Sequence, residues 1–379
     1  VVVRGADAQA AARSCHTAFF GRSTHFDVIL LGCGNVGGEL LEQFQRQEGA
    51  LASHHMDLRV RAIASREKLL VADDTIDLST WREQLEARGV PWTLDDVIGI
   101  RQRLGLLSPT IVDCTSDQAV ADAYVRFLDA GYNIVAANKK ANTSSLDTYR
   151  AMREAERRNF RKFLYETNVA AGLPFIDTLQ SLIRSGDELE TFEGILSGSL
   201  SMIFGLLEDG IPFSEAVARA MELGFTEPDP RDDLSGMDVA RKLLIIAREV
   251  GLRLELEDID VEPVVPTEAV EHASRENLID TLAGLDAAFA ERIDAAASAG
   301  EVLRYVARLE AGACRVSIEA VKREAPLGAI RDGQNALVIH SRYYQPLPMV
   351  LRGYGAGAAV TAAGVFGDLL RTVWRPLDN

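Results

Sequence analysis

Apolar positions in the first part of the chain alternate between strand-length runs and helix-spaced faces. The run Phe26–Leu31 is followed at once by a glycine-rich turn and an amphipathic stretch, which predicts a strand, a tight turn and a helix. Leu58–Ser65 predicts a second strand that completes this unit. Further strands are predicted at 110–116, 132–138 and 162–167, and helices at 118–130 and 146–158. The alternation predicts an α/β domain built on a doubly wound parallel sheet.

The pattern changes after Gly172-Leu173-Pro174. Longer helices then mix with strands, and four alternating runs between 302 and 352 predict a second α+β domain with an antiparallel or mixed sheet. A length of 379 residues fits two or three domains. The predicted organisation is a linker remnant at 1–25, a dinucleotide-binding domain at 26–167, a second domain at 168–350, and a C-terminal segment at 351–379 that returns to the first domain.

Charge and cysteine content narrow the possible partners. Forty Lys and Arg against 56 Asp and Glu give a net charge of −16, so the summed field disfavours nucleic acid and anionic membranes as partners. The sequence shows neither an apolar run of membrane-spanning length nor a signal-peptide pattern, which predicts a cytoplasmic protein. The scattered Cys15, Cys33, Cys114 and Cys314 have no zinc-site spacing and are expected to be reduced thiols.

The turn after the first strand has Gly-x-Gly-x-x-Gly spacing. Gly32 would make the turn, Gly34 would let the backbone approach a pyrophosphate, and Gly37 would let the helix pack on the strand. With Asn35 and Val36 they form a candidate site for a dinucleotide at the helix N-terminus, as in Rossmann-type domains. An ordinary glycine-rich turn is the alternative.

The end of the second strand bears on the choice between NADP and NAD. Arg66 favours NADP because an arginine can pair with a 2′-phosphate, whereas Glu67 could accept from the 2′-hydroxyl of NAD. Thr115 and Ser116 end another strand at the same edge, where they would contact the nicotinamide half or simply cap the next helix. Lys139 also reaches this edge, where a cation could hold a substrate carboxylate or be a surface lysine.

An acidic, proline-stiffened loop over 224–236 leads into a predicted helix. Glu227, Asp232 and Asp233 would converge near the helix start, an arrangement that suits a cation or an ammonium-bearing ligand. Asp238 and Lys242 lie four residues apart and so share a helix face. Such a pair is more often a surface ion pair than a catalytic one, but the acidic loop favours chemistry.

Several stretches resemble the homoserine dehydrogenases. The run from Ala220 to Lys242 matches that family's signature, and GCGNVG, VDCTS, AANKK, ETNVAAGLP and GILSGSLS follow in the family's order. The resemblance covers nearly everything from residue 26 onward. This part of the chain is similar to the dehydrogenase portion of bifunctional aspartokinase–homoserine dehydrogenases. It implies NAD(P)H-dependent, reversible reduction of L-aspartate 4-semialdehyde to L-homoserine. It also implies a homodimer formed through the substrate-binding second domain, fusion to an aspartokinase, and a plastid location if the parent is a plant protein.

The resemblance also implies a role for each matched residue. Lys242 would protonate the developing alkoxide, Asp238 would orient the substrate, and Lys139 would contact both substrate and cofactor. Glu227 and Asp233 match the family's substrate-binding acids.

The Glu166–Leu173 turn is similar to the family's monovalent-cation site. The implied ligands, for a cation expected to be Na⁺, are Glu166, Val169, Ala171 and Leu173. An ordinary loop capped by Glu166 is the alternative. The chain departs from the family pattern at four positions: Ser197, Phe225, Ala358 and Ala359.

Two other functions compete with this interpretation. A semialdehyde dehydrogenase with a covalent cysteine intermediate would need an activated cysteine in the second domain, where only Cys314 lies. A non-catalytic dinucleotide-binding sensor would bind cofactor without turnover, and the presence of Asp238 and Lys242 argues against it.

Overall fold

The computed structural model describes residues 3–5, 8, 11–12, 24–271, 273–274 and 277–373. The chain divides into two compact units, one of residues 1–167 with 361–379 and the other of residues 168–360. Most of the predicted linker, with Cys15, lies outside the described residues. Among the described residues, no helix is both long enough and apolar enough to cross a membrane.

The first unit is built on a six-stranded sheet with the order β3-β2-β1-β4-β5-β6. Its strands are β1 Thr24–Leu31, β2 Met56–Ala64, β3 Leu69–Val71, β4 Thr110–Asp113, β5 Asn133–Ala136 and β6 Phe163–Leu164. Its helices are α1 Asn35–Ser53, α2 Trp81–Arg88, α3 Leu94–Leu104, α4 Gln118–Asp122, α5 Tyr124–Asp129 and α6 Leu146–Asn159. The chain order reverses between β1 and β4, and such a switch point is where ligands bind in open α/β sheets.

The sheet of the first unit departs from the predicted all-parallel arrangement at one edge. β3 pairs antiparallel with β2, whereas the other neighbouring strands pair parallel. The turn between them closes with the Ser65 N–H donating to the Lys68 carbonyl at 2.8 Å, and so short a connection cannot make a parallel crossover.

The core of the first unit lies between β1 and its neighbouring helices. Leu40, Leu41 and Phe44 of α1 are buried against the apolar residues of β1. Phe44 meets the ring of Phe366 edge-on at 4.9 Å. Phe366 belongs to the last helix, α15 Ala358–Val373, whose residues from 361 onward are part of this unit.

The second unit carries a six-stranded sheet with the order β12-β11-β7-β9-β10-β8. Its strands are β7 Leu189–Ile195, β8 Asp260–Val261, β9 Glu301–Glu310, β10 Ala313–Lys322, β11 Gln334–Ser341 and β12 Met349–Tyr354. Its helices, besides the start of α15, are α7 Ile176–Arg184, α8 Gly198–Glu208, α9 Phe213–Glu222, α10 Pro230–Leu234, α11 Met237–Glu249, α12 Thr267–Val270, α13 Leu278–Ala283 and α14 Asp286–Ser298. Only β8 pairs parallel, with β10, which confirms a mixed sheet.

The strands expected over 110–116 and 132–138 end at Asp113 and Ala136, and three further predicted boundaries also differ from the structure. The helix expected over 118–130 is divided into α4 and α5 at Ala123. The strand expected over 162–167 ends at Leu164, because a 3₁₀ turn begins at Glu166, whose N–H donates to Asp368 at 2.8 Å. The segment expected over 351–379 begins inside β12, and its pairing with β11 keeps residues 351–360 in the second unit.

Candidate functional site

The glycine-rich turn joins the end of β1 to the start of α1. Gly32 has a φ of +86°, and a Cβ there would lie 2.8 Å from the Thr115 methyl group. A Cβ on Gly37 would lie 2.0 Å from the Gly32 carbonyl oxygen, whereas a Cβ on Gly34 would meet no atom within 4 Å. Gly32 and Gly37 are therefore required by the packing, while Gly34 faces open space.

The start of α1 is suited to an anion. Within the described part of the chain, no side chain caps this helix and its first turn carries no acidic residue. The N–H groups of Asn35 and Val36 lie in that turn, at the positive end of the helix dipole. The turn and the helix start thus provide the backbone donors and the space that a pyrophosphate needs.

Arg66 and Glu67 follow the end of β2 and are both exposed. The Ser65 hydroxyl fixes their turn by accepting from the N–H groups of Lys68 at 3.0 Å and Glu67 at 3.3 Å. Neither the Arg66 guanidinium nor the Glu67 carboxylate pairs with any described residue. Both are free to meet a ligand, and only Arg66 carries the charge that a phosphate requires.

The ends of β4 and β5 meet at a buried carboxylate. Asp113 Oδ2 accepts from Tyr124 Oη at 2.7 Å and from Asn138 Nδ2 at 3.1 Å, and its Oδ1 accepts from the Thr115 N–H at 2.8 Å. Burial raises the pKa of Asp113, and the hydrogen bonds act in the opposite direction. The Thr115 N–H and the Asn138 side chain are thereby hydrogen-bonded to the same carboxylate.

Lys139 lies half-buried immediately after Asn138. Its carbonyl accepts from both the N–H and the hydroxyl of Thr143 at 3.1 Å, so the loop that carries it is hydrogen-bonded on itself. Ser116, after β4, is exposed. The alternative that Thr115 or Ser116 caps the next helix is wrong, because Asp117 caps α4 by accepting from the Ala119 N–H at 2.8 Å.

Asp238 and Lys242 lie on one face of α11 and form an ion pair, with Nζ and Oδ2 2.7 Å apart. Lys242 Nζ also donates to the Leu196 carbonyl at 2.6 Å, and the lysine side chain is only 13 % exposed. Lys242 has no further hydrogen-bond or ion-pair partner among the described residues. An ammonium has three N–H donors, so one of them is left for a ligand.

Asp233 is the centre of the acidic loop. Its Oδ1 accepts from Ser199 Oγ at 2.5 Å and its Oδ2 from the Glu227 N–H at 2.8 Å. Burial raises the pKa of Asp233; the two hydrogen bonds oppose this shift, and the charges of Glu227 and Asp238 add to it. A ligand ammonium would relieve this repulsion between carboxylates.

The other acids of the loop differ from the expected convergence. Asp229 caps α10 and pairs with Arg231 at 2.5 Å, so part of the loop's charge is compensated locally. Asp232 is exposed and acts on Arg231 rather than on Asp233. The expectation that Asp232 joins Glu227 and Asp233 is therefore wrong.

Sequence reasoning missed the partners that hold these groups. Ser199 fixes Asp233, and its hydroxyl lies 2.8 Å from that of Ser197, which caps α8 through the Leu200 N–H. The Leu196 carbonyl left no sequence signal, because any residue supplies one. Ser199 lies in the GILSGSLS stretch, which served only as a marker of resemblance.

Cys314 does not support covalent catalysis. It lies on β10, is 4 % exposed, and burial raises the pKa of its thiol to about 11. A thiol in that state is not the activated nucleophile that a semialdehyde dehydrogenase needs.

The Glu166–Leu173 turn has unusual backbone geometry. Ala170 and Ala171 have φ values of +58° and +51°. Glu166 is buried, and its carboxylate lies 3.6 Å from the guanidinium of Arg371. No described backbone N–H donates to the carbonyls of Val169 and Ala171, whereas the Leu173 carbonyl accepts from Phe175 at 2.8 Å.

Comparison with known proteins decides the family. A family model named homoserine dehydrogenase matches residues 174–370, and one named homoserine dehydrogenase, NAD binding domain, matches residues 32–166. The chain belongs to the homoserine dehydrogenase family. It is thereby a member of a family of NAD(P)-dependent oxidoreductases.

Individual relatives agree with this assignment. The bifunctional aspartokinase/homoserine dehydrogenase of Haemophilus influenzae is 49% identical over 96% of this chain and 44% of its own length. A Candida auris protein of unknown function matches in structure with a TM-score of 0.86 at 32% identity, covering 92% of this chain and 98% of that one. A hyperthermophilic archaeal homoserine dehydrogenase in complex with NADPH matches with a TM-score of 0.70 at 21% identity, covering 92% and 98%, which supports the fold. This chain spans less than half the length of the curated relatives it matches.

Proposed function

We propose that this chain catalyses the NAD(P)H-dependent, reversible reduction of L-aspartate 4-semialdehyde to L-homoserine. The observation that carries the proposal is the Lys242 ammonium, held by Asp238 and the Leu196 carbonyl with one N–H to spare. The charges of Glu227 and Asp238 both act on Asp233, and this group of carboxylates on one unit suits a substrate with an α-ammonium group.

The residues of the second unit supply substrate binding and the proton. Glu227 and Asp233 bind the α-ammonium, and the ion pair with Asp238 orients the Lys242 side chain. The third N–H of Lys242 donates to the aldehyde oxygen and protonates it as the alkoxide forms. When bound, the nicotinamide supplies the hydride that goes to the aldehyde carbon. In the reverse direction Lys242 accepts the hydroxyl proton of homoserine.

The first unit binds the cofactor. The backbone of Gly32, Gly34, Asn35, Val36 and Gly37 accommodates the pyrophosphate at the start of α1. Arg66 pairs with the 2′-phosphate and makes NADP the preferred cofactor, with NAD as the weaker one. Thr115, Ser116 and Lys139 serve the nicotinamide half. By family resemblance Lys139 also contacts the substrate, and its positive charge suits the substrate carboxylate.

We propose a monovalent cation, Na⁺, at the Glu166–Leu173 turn. The carbonyls of Val169 and Ala171 lack a described backbone donor, and both residues are buried, so an ion would satisfy them. The Glu166 carboxylate and the Leu173 carbonyl complete the ligand set. A single carboxylate with neutral carbonyls suits one positive charge, and the ion would be structural.

We propose that the chain forms a homodimer and that its parent carries an aspartokinase part. β12 is the outermost strand of its sheet and exposes Val350 and Tyr354. The unpaired edge of this strand could pair with a second copy of the chain. The bifunctional names of the relatives support the fusion.

Substrate discrimination tests the proposed function. We expect L-homoserine to reduce NADP⁺ steadily, and 4-hydroxybutyrate, which lacks the α-ammonium, to have a kcat/KM lower by on the order of 10², since the charged hydrogen bonds between the ammonium and the carboxylates would be lost. The measurement is the nicotinamide absorbance with each alcohol at matched concentrations. Equal turnover of the two alcohols, or no turnover of homoserine, would contradict the proposal.

A further inference from the structure

A buried carboxylate joins three neighbouring segments at the carboxyl edge of the first unit's sheet. Asp113 has no exposed surface and accepts from Tyr124 Oη, Asn138 Nδ2 and the Thr115 N–H. These donors come from α5, from the loop after β5 and from the loop after β4. Among the described residues, no cation pairs with Asp113, so its charge is met by neutral donors alone.

The same network extends to the glycine-rich turn and to Lys139. Asn138 Nδ2 also donates to the Asp117 carbonyl at 2.9 Å and lies 3.4 Å from Thr115 Oγ1. The Thr115 methyl group lies where a Cβ on Gly32 would be 2.8 Å away. Lys139 follows Asn138 directly. One carboxylate therefore sets the loops that border the candidate nicotinamide site.

We propose that Asp113 is a positioning residue, which holds the Thr115 and Asn138 loops in the arrangement that binds the nicotinamide cofactor. The inference deepens the proposed function and rests on it. Every partner of Asp113 is a donor, so only a group that accepts at both oxygens keeps all three contacts. A change that keeps the size of the side chain but alters its acceptors should move the loops and leave the sheet intact.

Asp113→Asn tests this, because its amide NH₂ would face at least one donor. We expect the Kd for NADPH, measured by nucleotide fluorescence, to rise ~10-fold, as a buried unpaired donor predicts. Tyr124→Phe removes one donor and keeps the carboxylate, so it should raise the same Kd by a smaller factor, roughly threefold. Tyr124→Phe also tests the positioning role of Asp113 if Asp113→Asn does not fold.

The matched control is Asp187→Asn in the second unit. Asp187 is also buried, and it accepts from Ser341 Oγ at 2.7 Å, the Glu188 N–H at 2.9 Å and the Tyr343 N–H at 3.3 Å. A merely structural effect of losing a buried carboxylate would lower Tm in both variants and leave both Kd values unchanged. We expect weaker NADPH binding only in Asp113→Asn and Tyr124→Phe.

The inference is overturned if folded Asp113→Asn or Tyr124→Phe binds NADPH with the parental Kd, or if Asp187→Asn weakens binding equally. NADPH binding needs no alcohol substrate, so this result is separate from the proposed reaction. A parent chain that binds NADPH but does not oxidise homoserine would end the proposed function and still let the variants decide the role of Asp113.

Discussion

Arg66 and Glu67 stand side by side at the end of β2 with opposite charges. Both are exposed and unpaired among the described residues, so the ligand decides which one is used. A phosphate would gain a charge-assisted hydrogen bond from Arg66, whereas Glu67 would repel it. The 2′-hydroxyl of NAD carries no charge, so it would gain no charge–charge attraction from Arg66.

Removal of the Arg66 charge should therefore change the cofactor preference. For Arg66→Gln we expect the KM for NADP⁺ to rise by roughly 10-fold, as the loss of one charged hydrogen bond predicts, with the KM for NAD⁺ unchanged. Initial rates at saturating homoserine give both constants. Glu67→Gln serves as the control and should leave the NADP⁺ value within twofold or lower it. An unchanged KM for NADP⁺ in Arg66→Gln would exclude the phosphate contact.

Single residues also show where sequence reasoning reaches its limit. The i,i+4 spacing of Asp238 and Lys242 predicted their contact, because helix geometry is local. The Leu196 carbonyl that holds Lys242 is far away in the chain, and only the folded second unit reveals it. Asp232 and Asp233 are adjacent and chemically alike, yet only Asp233 turns toward Ser199.

At the scale of elements, the turn between β1 and α1 separates two roles of glycine. Gly37 is needed for packing, since a Cβ would overlap the Gly32 carbonyl. Gly34 has an ordinary φ of −74°, and a Cβ there would meet no protein atom within 4 Å. The open space at Gly34 lets a ligand approach the backbone, and its ψ of −145° also lies outside the regions that residues with a Cβ usually adopt.

Two alanine variants of this turn test that distinction. Gly34→Ala should keep the parental Tm and raise the Kd for NADPH at least ~10-fold, because the methyl group enters the space assigned to the pyrophosphate. Gly37→Ala should lower the free energy of unfolding by about 1–3 kcal/mol through overpacking, and weaken binding as well. Thermal unfolding and nucleotide fluorescence measure both quantities. Parental NADPH affinity in Gly34→Ala would remove the pyrophosphate from this turn.

The elements themselves were predicted where their periodicity is strong. The first two strands, the long helix at 146–159 and the four strands after residue 300 lie within a few residues of their predicted bounds. β3 escaped prediction because it is three residues long, and the single helix expected at 118–130 is two. The link from Ser199 of α8 to Asp233 of α10 is tertiary, so no local pattern could reveal it.

The whole chain has a net charge of −16, and an apolar strand edge exposed on so acidic a molecule is a candidate contact surface for a second copy. Val350 and Tyr354 of β12 are 41% and 62% exposed on the outermost strand of the second sheet. A dimer formed through this edge would bury them and pair the strand.

Introduction of charge at this edge should disrupt the dimer. We expect the parent to elute with a dimer mass in size exclusion with light scattering, and Val350→Lys/Tyr354→Lys to shift to monomer at the same micromolar concentration, since two copies would bring like charges together. Val90→Lys changes an exposed valine of the first unit and should remain a dimer. A monomeric parent, or a dimer unaffected by both lysines, would refute this surface.

Lys242 is the residue proposed to transfer the proton in homoserine oxidation. The most direct measurement is kcat with L-homoserine and NADP⁺ for the parent, Lys242→Ala and Lys322→Ala, with the NADPH Kd measured in parallel. Lys322 is an exposed lysine at the end of β10 and serves as the matched control. We expect kcat to fall by about 10²–10⁴ in Lys242→Ala alone, with all three Kd values equal. Near-parental kcat in Lys242→Ala would show that Lys242 does not transfer the proton.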